Sequence, residues 1–454
     1  MPSYAPPPTD GRRVTHGGGG GRGLLISLVV VLAVLAGGFA VVNLRAGGQT
    51  GAASPEEAAT RFFDALADED LIGVLEMLDP AERDVMLPFV QRLESELSRL
   101  GLTTDMDLGD VPGFELDVEG LETNTTELTS GMAEITVTGG VFRFRSVPEA
   151  VPIGDVLNDL IEANGGEVDI EATEDESQVD ADDGLFFVAT ETDDRWHLSL
   201  FFTIAEYARR DAGYALPDLT AGVTPQGAPS AEDAVRQFAE AAADLDLERM
   251  IALLPPDQMR ALHVYAPLFL EDAQADIEDF RAEEGVDITV DGLEFDSSSV
   301  AEGTRVTPTA GRITVDSFEG ETSVAYADGC IEVSGEEAVE FEDEFGTNRV
   351  CPDDVGDLGD LSEEEEADLR ELGELFSDLE PGIVVVERDG AFYIDPLGSF
   401  SDLFLQVFQG IERSDLQEGG ILYRLFTGDL FRWNDFEDYE ADWEVCDPAV
   451  EDDC

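Results

Sequence analysis

The chain's 454 residues suffice for two or three domains, each able to bury its own core. Its 102 acidic residues face 25 basic ones, all of them arginine, for a formal net charge of −77. That balance excludes nucleic acid and anionic membrane surfaces as partners, because phosphates need basic patches. At 43% hydrophobic residues the chain is nonetheless a folded protein and not an acidic tail.

Residues 1–23, with Pro6 to Pro8 and the run Gly17 to Gly21, read as a disordered arm. Leu24 to Val42 is an uncharged apolar run, about 28 Å long as a helix, and it predicts a transmembrane helix over 24–44. Arg12, Arg13 and Arg22 precede it and only Arg45 follows before the acidic body. The arginine bias places the arm in the cytoplasm and the body outside, so the expected location is the cell membrane, crossed once. A cleaved signal peptide is the rival reading; its apolar region would be shorter and end at small residues. Gly18, Gly20 and Gly23 match a dinucleotide-binding pattern, but no strand precedes them and a membrane span follows.

The body carries an internal duplication. The segment Ser54 to Leu71 aligns without gaps to Ser230 to Leu247, at an offset of 176 residues that continues to Pro80 opposite Pro256. In each copy a serine N-cap opens a helix, with Pro55 at the first helical position and Glu57 placed to complete a capping box. Phe62 and Leu66, and Phe238 and Ala242, recur at helical spacing. The acidic turns Asp68 to Asp70 and Asp244 to Asp246 lead to second helices over 71–78 and 247–254, which Asp70 and Asp246 are placed to cap. A third helix follows the proline in each copy. Further on, Val118-Glu-Gly-Leu-Glu122 parallels Val290-Asp-Gly-Leu-Glu294, and alternating runs such as Met132 to Val137 and Arg312 to Val315 predict half-buried strands. Closing hairpins end in Trp196-His197 and Phe392-Tyr393.

This order, helices followed by antiparallel strands and a last aromatic strand, resembles the nuclear-transport-factor-like α+β cone. Ketosteroid isomerases and many extracytoplasmic domains of actinobacterial membrane proteins share that fold. The resemblance implies an α+β class, with two tandem cone-like helix-plus-antiparallel-sheet domains over 54–215 and 230–412. Insertions around 150–180 and 330–380 depart from the compact cone. An acidic, aromatic tail over 413–454 follows.

In enzymes of this class a carboxylate and a His or Tyr inside the cone act as acid and base, which requires a pKa moved toward neutrality. Here Trp196, His197, Phe392 and Tyr393 are the pocket candidates. The plainer reading turns His197 to the solvent face of its strand and leaves His263 partly buried on a helix. No shared histidine survives between the copies, and no catalytic, metal or cofactor residue is assigned. Zinc spacing is absent. The Asp180 to Gly184 run fails as a calcium loop, because Val179 stands where the first ligand is needed.

Cys330, Cys351, Cys446 and Cys454 are even in number and lie outside the expected membrane span, where disulfides are expected. Three connectivities are open, of which local pairing is the simplest. Phe400, Phe404, Phe408 and Ile411 fall on one helical face, reading either as core or as a docking surface for a partner or for copy one. The leading function is a non-enzymatic binding or interaction module of the cell envelope, with an envelope protein as a possible partner. The alternatives are an isomerase or hydratase using one cone, and a structural spacer. A buried, pKa-shifted carboxylate in an apolar cavity would favour the enzyme; filled cones with an exposed apolar patch would favour the module.

Overall fold

A computed structural model of the protein describes residues 50–427, apart from 105–108, 110, 148–149, 164–173, 181–183, 319, 336–347, 352–362 and 378. The expected span over 24–44, Cys446 and Cys454 lie outside these residues. Among the described residues no helix is long and apolar enough to cross a membrane. The fold is α+β with curled antiparallel sheets.

Copy one runs α1 (Pro55–Ala67), α2 (Leu71–Glu76), α3 (Pro80–Leu100), β1 (Phe114–Thr129), β2 (Met132–Ser146), α4 (Asp155–Ala163), β3 (Glu174–Asp180), β4 (Phe186–Thr192), β5 (Arg195–Ser199) and α5 (Leu200–Asp211). Copy two runs α6 (Ala231–Ala243), α7 (Leu247–Ala252), α8 (Arg260–Tyr265), α9 (Leu270–Glu284), β6 (Asp287–Ser299), β7 (Thr304–Ser317), β8 (Gly320–Ala327), β9 (Cys330–Gly335), β10 (Arg349–Val350), α10 (Glu363–Leu375), β11 (Ile383–Arg388), β12 (Ala391–Ile394) and α11 (Pro396–Gly410). A 3-10 turn, Arg413–Leu416, and α12 (Ile421–Thr427) follow.

The helix starts follow the caps in the sequence. Ser54 Oγ accepts from the Glu57 amide at 3.2 Å and Ser230 Oγ from the Asp233 amide at 3.1 Å. The expected capping box is shifted by one residue, since Glu57 accepts from the Ala53 amide at 3.0 Å. Asp70 and Asp246 cap α2 and α7 through the Gly73 and Arg249 amides. Each cap satisfies amides that the first helical turn leaves without a partner.

The two sheets share one register. β2 pairs with β1 along its length, with β4 at its start and with β3 at its end. β7 pairs likewise with β6, β11 and β8. The repeated glycine motif is a bulge in both long hairpins: Gly120 and Gly292 each take φ 64° where the pairing slips. β4–β5 turns through Asp193 and Asp194, and β11–β12 through Asp389 and Gly390, all at positive φ as a tight hairpin of this hand requires. Ala52 bridges to Trp196 as Ala228 bridges to Phe392. The insertion 330–380 supplies β9, β10 and α10, and the disulfide Cys330–Cys351 ties β9 to the residue after β10 across a separation of 21. Such a bond suits an oxidising compartment.

Part of the expected tail belongs to the folded body. Leu416, Ile421 and Leu422 form a core cluster with Leu100, Val156 and Leu160 of copy one. Residues 428–454 lie outside the described residues.

Candidate functional site: a groove between the copies

Space under the first sheet is filled. Phe62, Phe63, Leu66, Phe142 and Phe187 pack together there, with Phe63 edge-on to Phe142 at 5.4 Å and to Phe187 at 5.6 Å. In copy two, Ala234, Val235, Val306, Val385 and Ile394 form the corresponding core.

The expected pocket residues do not converge on a site. His197 is 2% exposed, a correction to its solvent-facing assignment. Its strand is covered on both faces: Leu198 packs into the core of copy one, while Gly51 lies against the imidazole. Both ring nitrogens lack a hydrogen-bond partner. Burial holds the imidazole below its ordinary pKa, with Asp79 acting the other way. Tyr393 holds the equivalent position, and Gly227 backs its ring as Gly51 backs His197. Trp196 and Phe392 are half-buried against the two cores. His263 is buried, its Nε2 3.2 Å from the Leu254 carbonyl.

The copies dock reciprocally through their last helices. α5 of copy one packs on α8 of copy two, and α11 of copy two packs on α3 of copy one. On one side Phe202 meets Tyr265 at 6.2 Å, and Tyr265 Oη donates to Glu206 Oε2 at 2.9 Å. On the other, Phe89 meets Phe404 at 5.8 Å and Phe400 at 6.3 Å. Phe89 and Tyr265 are equivalent at the offset of 176, so the third helix of each copy receives the last helix of the other through the same position, the arrangement of elements in an isologous dimer. The aromatic face of α11 thus docks on copy one, one of the two readings its spacing allowed. Glu206 is fully buried; burial raises its pKa, but bonds from Arg209, Tyr265 and Arg210 hold it below the usual range.

An apolar groove of about 400 Å³ opens beside the first of these contacts. Phe201, Ile204 and Ala208 of α5 line one wall, and Ala261, Tyr265 and Phe269 line the other. Its volume falls within the range of small-molecule sites. Arg209 is the one charged side chain among the lining residues. Its guanidinium is bound to Glu206, at 2.5 and 2.8 Å, and to the Tyr214 carbonyl.

A polar cleft of about 370 Å³ lies near the groove, with Asp79, Glu82, Asp84 and Ser199 from copy one and Asp257 and Arg260 from copy two. Burial pushes the Glu82 carboxyl up to about 7, against its bonds from Ser199 Oγ at 2.5 Å, the Leu200 amide at 2.7 Å and the Phe201 amide at 3.2 Å. Glu82 therefore sits at the N-terminus of α5, where a helix favours negative charge. Among the described residues no group of three or more His, Cys, Asp or Glu is placed to hold a metal ion.

Sequence reasoning missed Glu82, Tyr265 and the groove. The signal is the offset of 176, which pairs Glu82 with Gln258 and Phe89 with Tyr265 beyond the stretch where the likeness is obvious. Comparison with family models, characterised proteins and solved structures finds no match to the chain.

Proposed function

We propose that the chain is a non-catalytic binding module of the cell envelope, anchored through 24–44, with two nuclear-transport-factor-like domains that hold an apolar ligand between them. The observation that carries this reading is the groove between α5 and α8, which is open and apolar, whereas the phenylalanines beneath the first sheet pack against one another. Transfer of apolar surface out of water drives binding to such a site without any reacting group.

The enzyme alternative draws support from Glu82, a carboxyl moved toward neutrality beside a cleft. Its oxygens are already engaged by Ser199, Leu200 and Phe201, and the equivalent residue in copy two is Gln258. A cap accounts for both facts, whereas a general acid needs a free path to substrate.

Titration with the neutral fluorophore N-phenyl-1-naphthylamine tests the module. Saturable binding at one site per chain is expected. Ile204 is 61% exposed, so Ile204→Glu should weaken binding at least tenfold while leaving the melting temperature unchanged. No saturable binding, or binding indifferent to Ile204→Glu, would sink the proposal.

A further inference from the structure

The final helices of the two copies correspond residue by residue. Trp196 and Phe392 bridge to Ala52 and Ala228 in the same way, and Ser199 and Asp395 cap the helices that follow. On that correspondence Ile204, Ala208 and Ala212 stand where copy two has Phe400, Phe404 and Phe408. In copy two these rings form a ladder, with centroids 5.6 Å apart between Phe400 and Phe404 and 5.0 Å between Phe404 and Phe408. Phe400 and Phe404 lie over Phe89, the residue equivalent to Tyr265, and Phe408 packs on the cluster of Leu100, Leu416 and Ile421. In copy one Ile204, Ala208 and Ala212 all line the groove, over Tyr265. One interface is thus covered by its own phenylalanines at Phe404 and Phe408, which are half-buried, and the equivalent one has the exposed Ala208 and Ala212 in their place.

We propose that the groove takes a small, uncharged aromatic molecule whose rings stand in for the missing phenylalanine side chains. The inference rests on the groove being the binding site. Only side-chain volume is missing, because the α5 backbone is already in place; a free molecule fits that deficit, and a partner's helix does not. An apolar cavity of about 150 Å³ already accommodates benzene, so this one admits two rings. Phe201, Tyr214, Tyr265 and Phe269 line it, and ring edges and faces favour a second aromatic over a saturated skeleton of the same size. A charged ligand has no counterion here, since the Arg209 guanidinium is engaged by Glu206 and the Tyr214 carbonyl.

The test uses the folded chain with 2-naphthol and its saturated analogue decahydro-2-naphthol, followed by calorimetry. Wild type is expected to bind one naphthol, at least tenfold more tightly than the saturated alcohol. Ala208→Phe should abolish binding with no fall in melting temperature, and Phe404→Ala should add a second site. Should Phe404→Ala fail to fold, Ala208→Phe alone decides. If both alcohols bind equally and Ala208→Phe abolishes both, the groove is a binding site and the aromatic assignment is wrong. If naphthol binds Ala208→Phe as well as wild type, or does not bind wild type, the site itself is wrong. A dimer that forms with concentration and is lost in Ala208→Phe would give the groove to a second copy and overturn the proposal.

Discussion

Glu82 and Gln258 hold equivalent positions, and between the copies the buried carboxylate has changed sides. In copy one the acid is on α3 and a serine, Ser199, caps the next helix; in copy two the amide is in the turn before α8 and Asp395 is the cap, raised by burial and bonded by Gln258. Glu82 is the acid whose titration reaches neutrality. Folding raises its pKa from 4.5 to about 7, so the folded protein holds this proton more tightly than the unfolded chain. The linked stability is complete below about pH 4.5 and is lost as pH rises through 7, on the order of 3 kcal/mol at most. His197 and His263, held low by burial, act oppositely and cost stability as pH falls below 6.5. The wild-type profile mixes these signs, so the difference between variants is what isolates Glu82. Urea unfolding from pH 5 to 8 should show a shallower decline for Glu82→Gln than for wild type. Parallel profiles would show that Glu82 does not titrate in this window.

A strand–helix ion pair has been rebuilt between the copies in the same manner. β2 offers Glu134, which Arg210 of α5 reaches; the equivalent residue of β7 is Arg305, which grips Asp402 of α11 with bonds of 2.6 and 2.7 Å. Asp402 is equivalent to Glu206, so the acid stays on the last helix while the strand residue reverses its charge. Removing Asp402 leaves the largely buried Arg305 guanidinium with the exposed Glu380, at 2.8 Å, as its ion-pair partner. Asp402→Ala should therefore lower the unfolding free energy by about 3 kcal/mol, and Arg305→Met with Asp402→Leu should restore most of it. Equal losses in the single and double variants would mean that the pair does not carry the effect. Elements of this kind separate what was legible in the sequence from what was not. The helices of both copies, their serine and aspartate caps and the bulge glycines were readable, because each depends on residues a few positions apart. The Cys330–Cys351 link followed from number and proximity. The burial of His197 was not readable: alternation gives two faces to a strand, but only tertiary packing decides that both are covered. Nor was the groove, since it needs α5 and α8 to meet across the chain.

At the scale of the molecule, the charge of −77 leaves most carboxylates without a basic partner. The arginines are largely committed to local pairs such as Arg143 with Asp117 and Arg249 with Glu240. Unpaired acids repel one another over roughly a Debye length, about 8 Å at 0.15 M salt and 3 Å at 1 M. Raising sodium chloride from 0.05 to 1 M should lift the melting temperature by several degrees, by calorimetry; a flat response would show the charges too far apart to matter. The reciprocal docking of α5 and α11 also bears on how such a molecule can change. Two identical subunits inherit every substitution twice, so trading a phenylalanine for alanine at their interface would hollow both contacts at once. A single chain holding both halves inherits it once. One contact can hold the assembly as a strut, with Phe404 on Phe89, while the other carries alanine beside an open groove. The asymmetry between Ala208 and Phe404 is a liberty that only the fused form of the pair possesses.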